Sequence, residues 1–530
     1  MNIAHTLFPN TTATIADLEV RFPLRNLPQD AMVTRYAPSP TGFLHFGALY
    51  SATLNTLLAK QSNGVVSLRI EDTDALRTIE NGEQILLDAL RNFGIDFDES
   101  IENPGSYQPY RQTDRVDIYH TVAKYLVDVG HAYPCFCTPE DLSAMREEQA
   151  QQKANPGYYG EWAKCRNLTS AQNDKPYVLR LKSRALTASH KFNDLALGEV
   201  NITPNNQDIV LLKSDGIPTY HFAHVCDDHF MRTTHVVRGE EWLASLPIHL
   251  ELFELLGWQH PQYVHHAAIM KLDGGGKRKL SKRKDPEADM RYFKEQGYPL
   301  EAIREYVITL LFSDFEEWRA ANHTLPLEDF AVSTDKLSVS GALFDMVKLN
   351  DISKNVIAQM TAEQVYEQLY TWAQEYNPAF AALLAKDKAQ SLAMLSIGRG
   401  GDKPRKDLAN WAEVPAYLDF FFDETFQLHD AYPDNIPAEL RKQVLQTVAE
   451  NINLESENFF ADMKALAEPL NFAVDNKAYK QNPEQYAGNI ADFMSLVRIA
   501  VCGRANAPDI FPVLQILGKE RAIARLMVNL

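Results

Sequence analysis

Between Met32 and Ile70 the pattern of apolar and polar positions changes period three times. "MVTRYA" has strand composition and runs into the breaker cluster "PSPTG". Beyond it, Phe46, Leu49, Leu54, Leu57 and Leu58 recur at helical spacing through "HFGALYSATLNTLLAK". "GVVSLRI" follows as a short apolar run bounded by Gly64 and an acidic cluster. Strand, turn, helix and strand predict a βαβ unit with parallel strands and a right-handed crossover.

From about Asn103 to Thr203 the rhythm breaks into polar, Gln-rich and Tyr-rich sequence, which predicts an α+β insertion in the sheet domain. Alternating texture then returns, with "DIVLLK", "THVVRG" and "YVHHAAIM" as strands and "LPIHLELFELLGW" as a helix, so the same sheet is expected to resume. Past Asp285 helix-period segments dominate, among them "PLEAIREYVITLLF", "TAEQVYEQLYTWAQEY" and "PAELRKQVLQTVAE". The fold class is therefore α/β, a parallel-sheet domain with an α+β insertion, followed by an all-α region. Residues 1–30 show no strong period and read as an extension. The remaining boundaries fall at 31–290 for the sheet domain, 291–350 for a first helical region and 351–530 for a second.

Composition narrows the class. A chain of 530 residues with 45% hydrophobic and 23% charged residues is multidomain and globular. It has no apolar run long enough to span a bilayer, and "MNIAHTLFPN" lacks the pattern of a secretory signal, so no membrane partner and a cytoplasmic location are expected. Five cysteines, odd in number, argue for a reducing compartment. The net charge of −18 disfavours indiscriminate nucleic-acid binding, but phosphate is recognised by local clusters of cations, and "GGGKRKLSKRKD" at Gly274–Asp285 is such a cluster.

The candidate chemistry gathers at strand ends. In open α/β sheets ligands bind at the carboxyl ends of strands, and the free amides of a helix N-terminus favour phosphate. Arg35, Ser39, Gly42, His45 and Gly47 occupy the first strand–helix turn, where a nucleotide would lie and where a histidine either donates to phosphate or merely caps the helix. Arg69, Glu71, Asp72, Asp74 and Arg77 follow the second strand, either as partners for an ammonium group or as a salt-bridged loop. In "PTYHFAHVCDDHFM" Tyr220 and His224 share a helix face, and "VVRGEEW" puts Arg238, Glu240, Glu241 and Trp242 at a strand end, where an arginine suits a carboxylate.

Taken in order, "APSPTGFLHFG", "RIEDTD", "PTYHFA", "VVRGEEW" and "KLSKR" resemble the glutamyl-tRNA synthetases, a family of class I aminoacyl-tRNA synthetases. The resemblance covers about Val33 to Asp285, and the helical tail is similar to the family's bacterial anticodon-binding region. It implies a Rossmann-like catalytic domain that uses ATP and Mg²⁺ to activate L-glutamate and load it onto tRNA(Glu), with the insertion binding the acceptor end, 291–350 contacting the stem and 351–530 the anticodon. A monomer is expected. By the same resemblance His45, Lys279 and Lys282 are catalytic. His45, Gly47, Glu241, Trp242, Lys279, Leu280 and Lys282 bind ATP, and Arg35, Ser39, Glu71, Tyr220, His224 and Arg238 bind glutamate, Arg238 through the side-chain carboxylate. Two positions depart from the family: it often has Asn where this chain has His224, and an arginine after the first motif where "ALYSATLN" has none.

Other readings are an enzyme that also glutamylates tRNA(Gln), a glutaminyl-tRNA synthetase, and a small-molecule nucleotidyltransferase, which would not require the long helical tail. A non-catalytic paralogue is disfavoured by intact His45, Lys282, Arg238 and Glu71. In the insertion, Cys135, Cys137 and Cys165 suggest a zinc knuckle with Tyr159 or Glu161 as fourth ligand, against three buried, unmetallated cysteines. In the tail, "GRGGDKPRK" (398–406) and Gly503-Arg504 offer cations between helices for reading anticodon bases, or are solvated loops.

Overall fold

The computed structural model describes residues 3–40, 42–74, 79–168, 175–186, 188–339 and 341–528. They form two compact units, Met1–Tyr292 with Arg304–Asp345, and Phe293–Ile303 with Met346–Leu530. The stretch 291–350, a single region by its sequence texture, is divided between them.

The first unit opens with two short helices, α1 (Ile3–Leu7) and α2 (Ile15–Arg21), where an extension of little structure was expected. A capping box starts α2: Thr14 Oγ1 accepts from the Asp17 amide at 3.2 Å, and the Asp17 carboxylate accepts from the Thr14 amide at 2.9 Å. Phe8, Leu18 and Phe22 are buried in a core shared with Tyr119, Val122 and Phe230. These few anchors are too sparse to show as a period.

The predicted βαβ unit follows as β1 (Val33–Tyr36), α3 (Phe46–Gln61) and β2 (Val65–Leu68), with the strands parallel from Val33↔Val65 to Tyr36↔Leu68. After α4 (Gly82–Asn92) and α5 (Val116–Asp128) comes the insertion, with β3 (Ala132–Cys135), α6 (Pro139–Gln151), β4 (Val178–Leu181), β5 (His190–Asp194), β6 (Gly198–Ile202) and β7 (Val210–Leu212). β3, β4 and β7 make one antiparallel sheet. "DIVLLK" therefore closes the insertion instead of resuming the parallel sheet, because β7 pairs with β4. Three apolar residues cannot say which strand they will pair with.

The parallel sheet resumes after α7 (Tyr220–Phe230) with β8 (His235–Gly239), α8 (Leu246–Leu255) and β9 (Gln262–His266). β8 and β9 pair in parallel, and β8 starts beside β1, where the Thr234 amide donates to Val33 O at 2.9 Å. The two parallel pairs, β1 with β2 and β8 with β9, meet at this bond, and the carboxyl ends of β1 and β8 border one cavity. Beyond them, β10 (Ile269–Asp273) and β11 (Gly276–Lys279) form a hairpin in the register Asp273↔Gly276. Its two turn residues, Gly274 and Gly275, have φ of +56° and +91°. Glycine meets the positive φ that both positions of this tight turn require.

In the second unit the described elements are helices except for a two-residue parallel pair, Phe472–Ala473 with Gly488–Asn489. Leu369, Val444, Val448, Leu496, Val497 and Leu514 are fully buried in its core. The cations proposed for base reading are largely engaged within this unit. Arg504 holds Asp419 through two contacts at 2.6 and 2.7 Å, Arg405 pairs with Asp407, and Arg399 donates to the carbonyls of Leu395 and Ile357. Among the described residues no helix is long and apolar enough to cross a membrane.

Candidate active site

A cavity of about 420 Å³ opens at the carboxyl ends of β1 and β8 and the amino end of α3. Arg35, His45, Gly47, Glu71, Tyr220, Arg238, Glu241, Trp242, Lys279 and Leu280 all line it. Residues more than 200 positions apart thus share one wall because parallel strands point their carboxyl ends the same way.

His45 is the N-cap of α3, and its Nδ1 accepts from the Gly47 amide at 2.9 Å. It caps the helix, and it also lines the cavity. Burial, and then the charges of Lys282 and Lys279, hold its pKa below the usual histidine value. With Nδ1 accepting, the neutral ring keeps its proton on Nε2, a donor rather than a general acid. Gly47 has no room for a side chain at ease, since an added Cβ would lie 3.2 Å from His45 Nδ1.

At the other end, Arg238 leaves β8 nearly buried. Its Nε donates to His265 Nε2 at 3.0 Å, and its terminal nitrogens lie 3.4 Å from Tyr220 Oη, 3.3 Å from His249 Nδ1 and 3.3 Å from Trp242 O. These partners are uncharged; among the described residues no carboxylate pairs with Arg238. Burying a cation without an anion is costly, so this site is built for a negative group. The rings of Trp242 and Tyr220 lie 4.6 Å apart along the same wall.

Beneath the cavity lies an ion-pair network that joins Arg35, Arg69 and Glu71, expected from the sequence, to Arg115, Asp227 and Asp228, which the sequence did not single out. Arg35 and Arg69 both bind Asp228, at 3.0 and 2.7 Å, Arg115 binds Asp227 at 2.6 Å, and Arg69 also reaches Glu71 at 3.0 Å. Tyr119 Oη and Gln112 Nε2 donate to Asp227 as well. Asp227 and Asp228 are buried, and burial of the Asp228 carboxyl is outweighed by Arg35 and Arg69, which hold its pKa low. The available signal was two consecutive aspartates in a helix otherwise of aromatic, histidine and apolar residues, "HVCDDHF". Glu71 is pushed the other way, upward, by burial.

Several predicted residues fall outside the lining. His224 is fully buried, 3.2 Å from Asp228 Oδ2 and tilted by 36° against His249 with ring centres 4.2 Å apart; burial and then Arg238 keep it neutral. Ser39 is exposed on the loop after β1. Lys282 donates to Phe43 O beside the His45 end of the cavity. Asp72 accepts from the Thr113 amide and hydroxyl and so braces a turn, while Arg77 lies outside the described residues. In the basic run, Arg278 is clamped by Asp285 through contacts at 2.6 and 2.7 Å and by Asp273, and Lys279 Nζ lies 3.3 Å from Glu241 Oε1.

The family described as tRNA synthetases class I (E and Q), catalytic domain, matches residues 31–351, more than half the chain. The chain belongs to this family. A second match, described as an anticodon binding domain, covers residues 404–530 of this class I synthetase. A glutamate–tRNA ligase of Acetivibrio thermocellus is 47% identical over 99% of this chain and 98% of its own length. One of Clostridium perfringens (strain 13 / Type A) is 45% identical over 99% of both chains. The crystal structure of a glutamate tRNA ligase from Elizabethkingia meningosepticum in complex with its amino acid is similar with a TM-score of 0.74 at 27% identity, covering 94% of this chain and 99% of that one.

The synthetase carries a second cluster in its insertion. The sulfurs of Cys135, Cys137 and Cys165 lie within 4.8 Å of one another. The oxygen beside them belongs to Tyr158, 3.4 Å from the Cys135 and Cys137 sulfurs and 3.1 Å from the Cys165 amide. Tyr159, the expected fourth ligand, instead donates to Asn155 O at 2.7 Å. Neighbouring residues of one loop point to opposite sides, and only one can face the thiols.

Proposed function

We propose that this chain is a glutamate–tRNA ligase, which activates L-glutamate with ATP and transfers it to the 3′ end of tRNA(Glu), and that the cleft described above is its active site. The observation that carries this reading is Arg238, a buried cation whose partners are all neutral and which faces a cavity with the donors His45 and Lys279 at its opposite end. Arg238 takes the side-chain carboxylate of glutamate, Glu71 faces the α-ammonium, and Tyr220 and Arg35 line the same pocket. His45 through Nε2–H, Lys279 and Lys282 hold the triphosphate, and Glu241 and Trp242 border the adenosine. Mg²⁺, bound with ATP, supplies further neutralisation of phosphate charge.

No protein nucleophile is needed. The α-carboxylate of glutamate attacks the α-phosphorus, pyrophosphate leaves with its electron pair, and the terminal ribose hydroxyl of tRNA then displaces AMP from the acyl carbon. The chain's part is to place the reactants and to meet negative charge as it shifts to the leaving phosphates. A neutral His45 suits this, because it donates without having to give up a proton.

The insertion is assigned to the acceptor end, and the second unit, which contains the segment matched as an anticodon binding domain, to the anticodon. The three thiols and the Tyr158 oxygen fit a tetrahedral zinc, with Tyr158 in the place first given to Tyr159. Metal analysis of purified protein should return one zinc per chain, lost in Cys137→Ser. The activity itself is tested by pyrophosphate exchange with glutamate, glutamine and aspartate, with and without tRNA(Glu). Exchange is expected with glutamate alone; exchange driven by glutamine would move the chain to the other amino acid of its family.

A further inference from the structure

Arg238 is oriented by a chain of two further residues that reach it from the insertion. His265, on β9, accepts from Arg238 Nε at its own Nε2. Its Nδ1 lies 2.6 Å from Asp194 Oδ2, and both side chains are fully buried. Asp194 ends β5, on the hairpin that packs against β9, where the Leu195 amide donates to Tyr263 O. A histidine can accept from Arg238 only if its proton sits on Nδ1, and that is the tautomer which a carboxylate at Nδ1 selects.

We infer that Asp194 and His265 are positioning residues for glutamate recognition, with Asp194 fixing the His265 tautomer so that the Arg238 guanidinium is held in one plane toward the substrate carboxylate. This rests on the reading of Arg238 given above. The two oxygens of Asp194 divide the work. Oδ1 accepts from the amides of Ala196, Leu197 and His265, at 3.0, 3.0 and 3.2 Å, which shapes the hairpin turn; Oδ2 serves only His265.

That division supplies the test. In Asp194→Asn the three amides keep the remaining oxygen where it is, so the new NH₂ faces His265 Nδ1. His265 must then carry its proton on Nε2, donor against the Arg238 donor, while the turn survives. We expect the KM for glutamate in aminoacylation of tRNA(Glu) to rise about ten- to a hundredfold, with the KM for ATP unchanged, kcat at saturating glutamate within about threefold, and discrimination against glutamine reduced. In His265→Gln the amide oxygen accepts from Arg238 without help from Asp194, so this variant should stay closer to the parent than His265→Leu. Adding Asp194→Asn to it should then raise KM no further.

Equal effects of His265→Gln and His265→Leu, or additive effects of Asp194→Asn in both backgrounds, would overturn the relay. So would an Asp194→Asn protein in which kcat falls and the glutamate KM does not move. The His265 pair decides the matter if Asp194→Asn does not fold. Arg238→Gln separates the two claims: a raised glutamate KM in it beside a silent Asp194→Asn removes the relay alone, whereas an unchanged KM in Arg238→Gln removes both.

Discussion

Arg115 and Arg238 are both nearly or fully buried in the same unit, yet they are balanced in different ways. Arg115 and Arg69, neither of which lines the cavity, are held by Asp227 and Asp228 at 2.6 and 2.7 Å. Arg238 is held by two imidazoles, a phenol and a carbonyl. A charge neutralised by its own chain has no reason to meet a ligand, whereas one steadied by neutral lone pairs keeps its charge for an anion that comes and goes. Burial alone therefore does not mark a functional arginine; the identity of its partners does.

The largest effect that would test this contrast is on stability. Asp227→Ala leaves Arg115 buried beside nothing negative and also strips Tyr119 and Gln112 of their acceptor, so unfolding in urea should show a loss of about 3–5 kcal/mol. A loss below about 1 kcal/mol would mean that the network is not closed. Arg238→Ala should behave in the opposite manner. Unfolding should be nearly unchanged, because no carboxylate is orphaned, while kcat/KM for glutamate should fall by the equivalent of about 2–5 kcal/mol.

The two clusters should also fail at different pH. Burial holds the folded-state pKa of His224 and His249 well below the ordinary value near 6.5, so the unfolded chain binds their protons first. Their contribution is complete above about pH 6.5 and is lost below it, by about 1.4 kcal/mol per pH unit for each ring until its folded pKa is reached. Asp228, depressed by its two arginines despite burial, contributes above the unfolded aspartate value near 3.9 and is lost only as pH falls below that. Unfolding followed from pH 7.5 to 3.5 should thus fall first between about 6.5 and 5, and His249→Phe should flatten that first limb. A profile level down to pH 4 would show the imidazoles to be solvated.

Legibility followed sequence distance. His45 and Gly47 could be placed because strand, turn and helix lie within one local stretch, and the turn is also where the cavity forms. Arg238 could be placed at a strand end, but its isolation from carboxylates could not, since that depends on what β9, α7 and α8 bring within 3.4 Å. The Arg115–Asp227 pair spans 112 positions and the Arg35–Asp228 pair 193, and no local pattern ties such residues together. Shorter-range errors have local causes. Two adjacent tyrosines were indistinguishable until the loop turned Tyr158 toward the thiols, and β7 read as a resumed sheet because an apolar triplet carries no record of its partner. The helix at Ile15–Arg21 did carry a signal, Thr14 three residues before Asp17, that a search for apolar period passes over.

The sequence by itself determined the first βαβ unit, the return of strand, helix and strand at β8, α8 and β9, the helical second half, and the residue types at the ends of β1, β2 and β8, because backbone period and turn chemistry are local. Only the tertiary structure decided which buried charges cancel, which tyrosine meets the cysteines, and that Asp194 reaches Arg238 through His265. Those outcomes depend on distances of about 3 Å between residues far apart in the chain, and such distances exist only once the chain has packed.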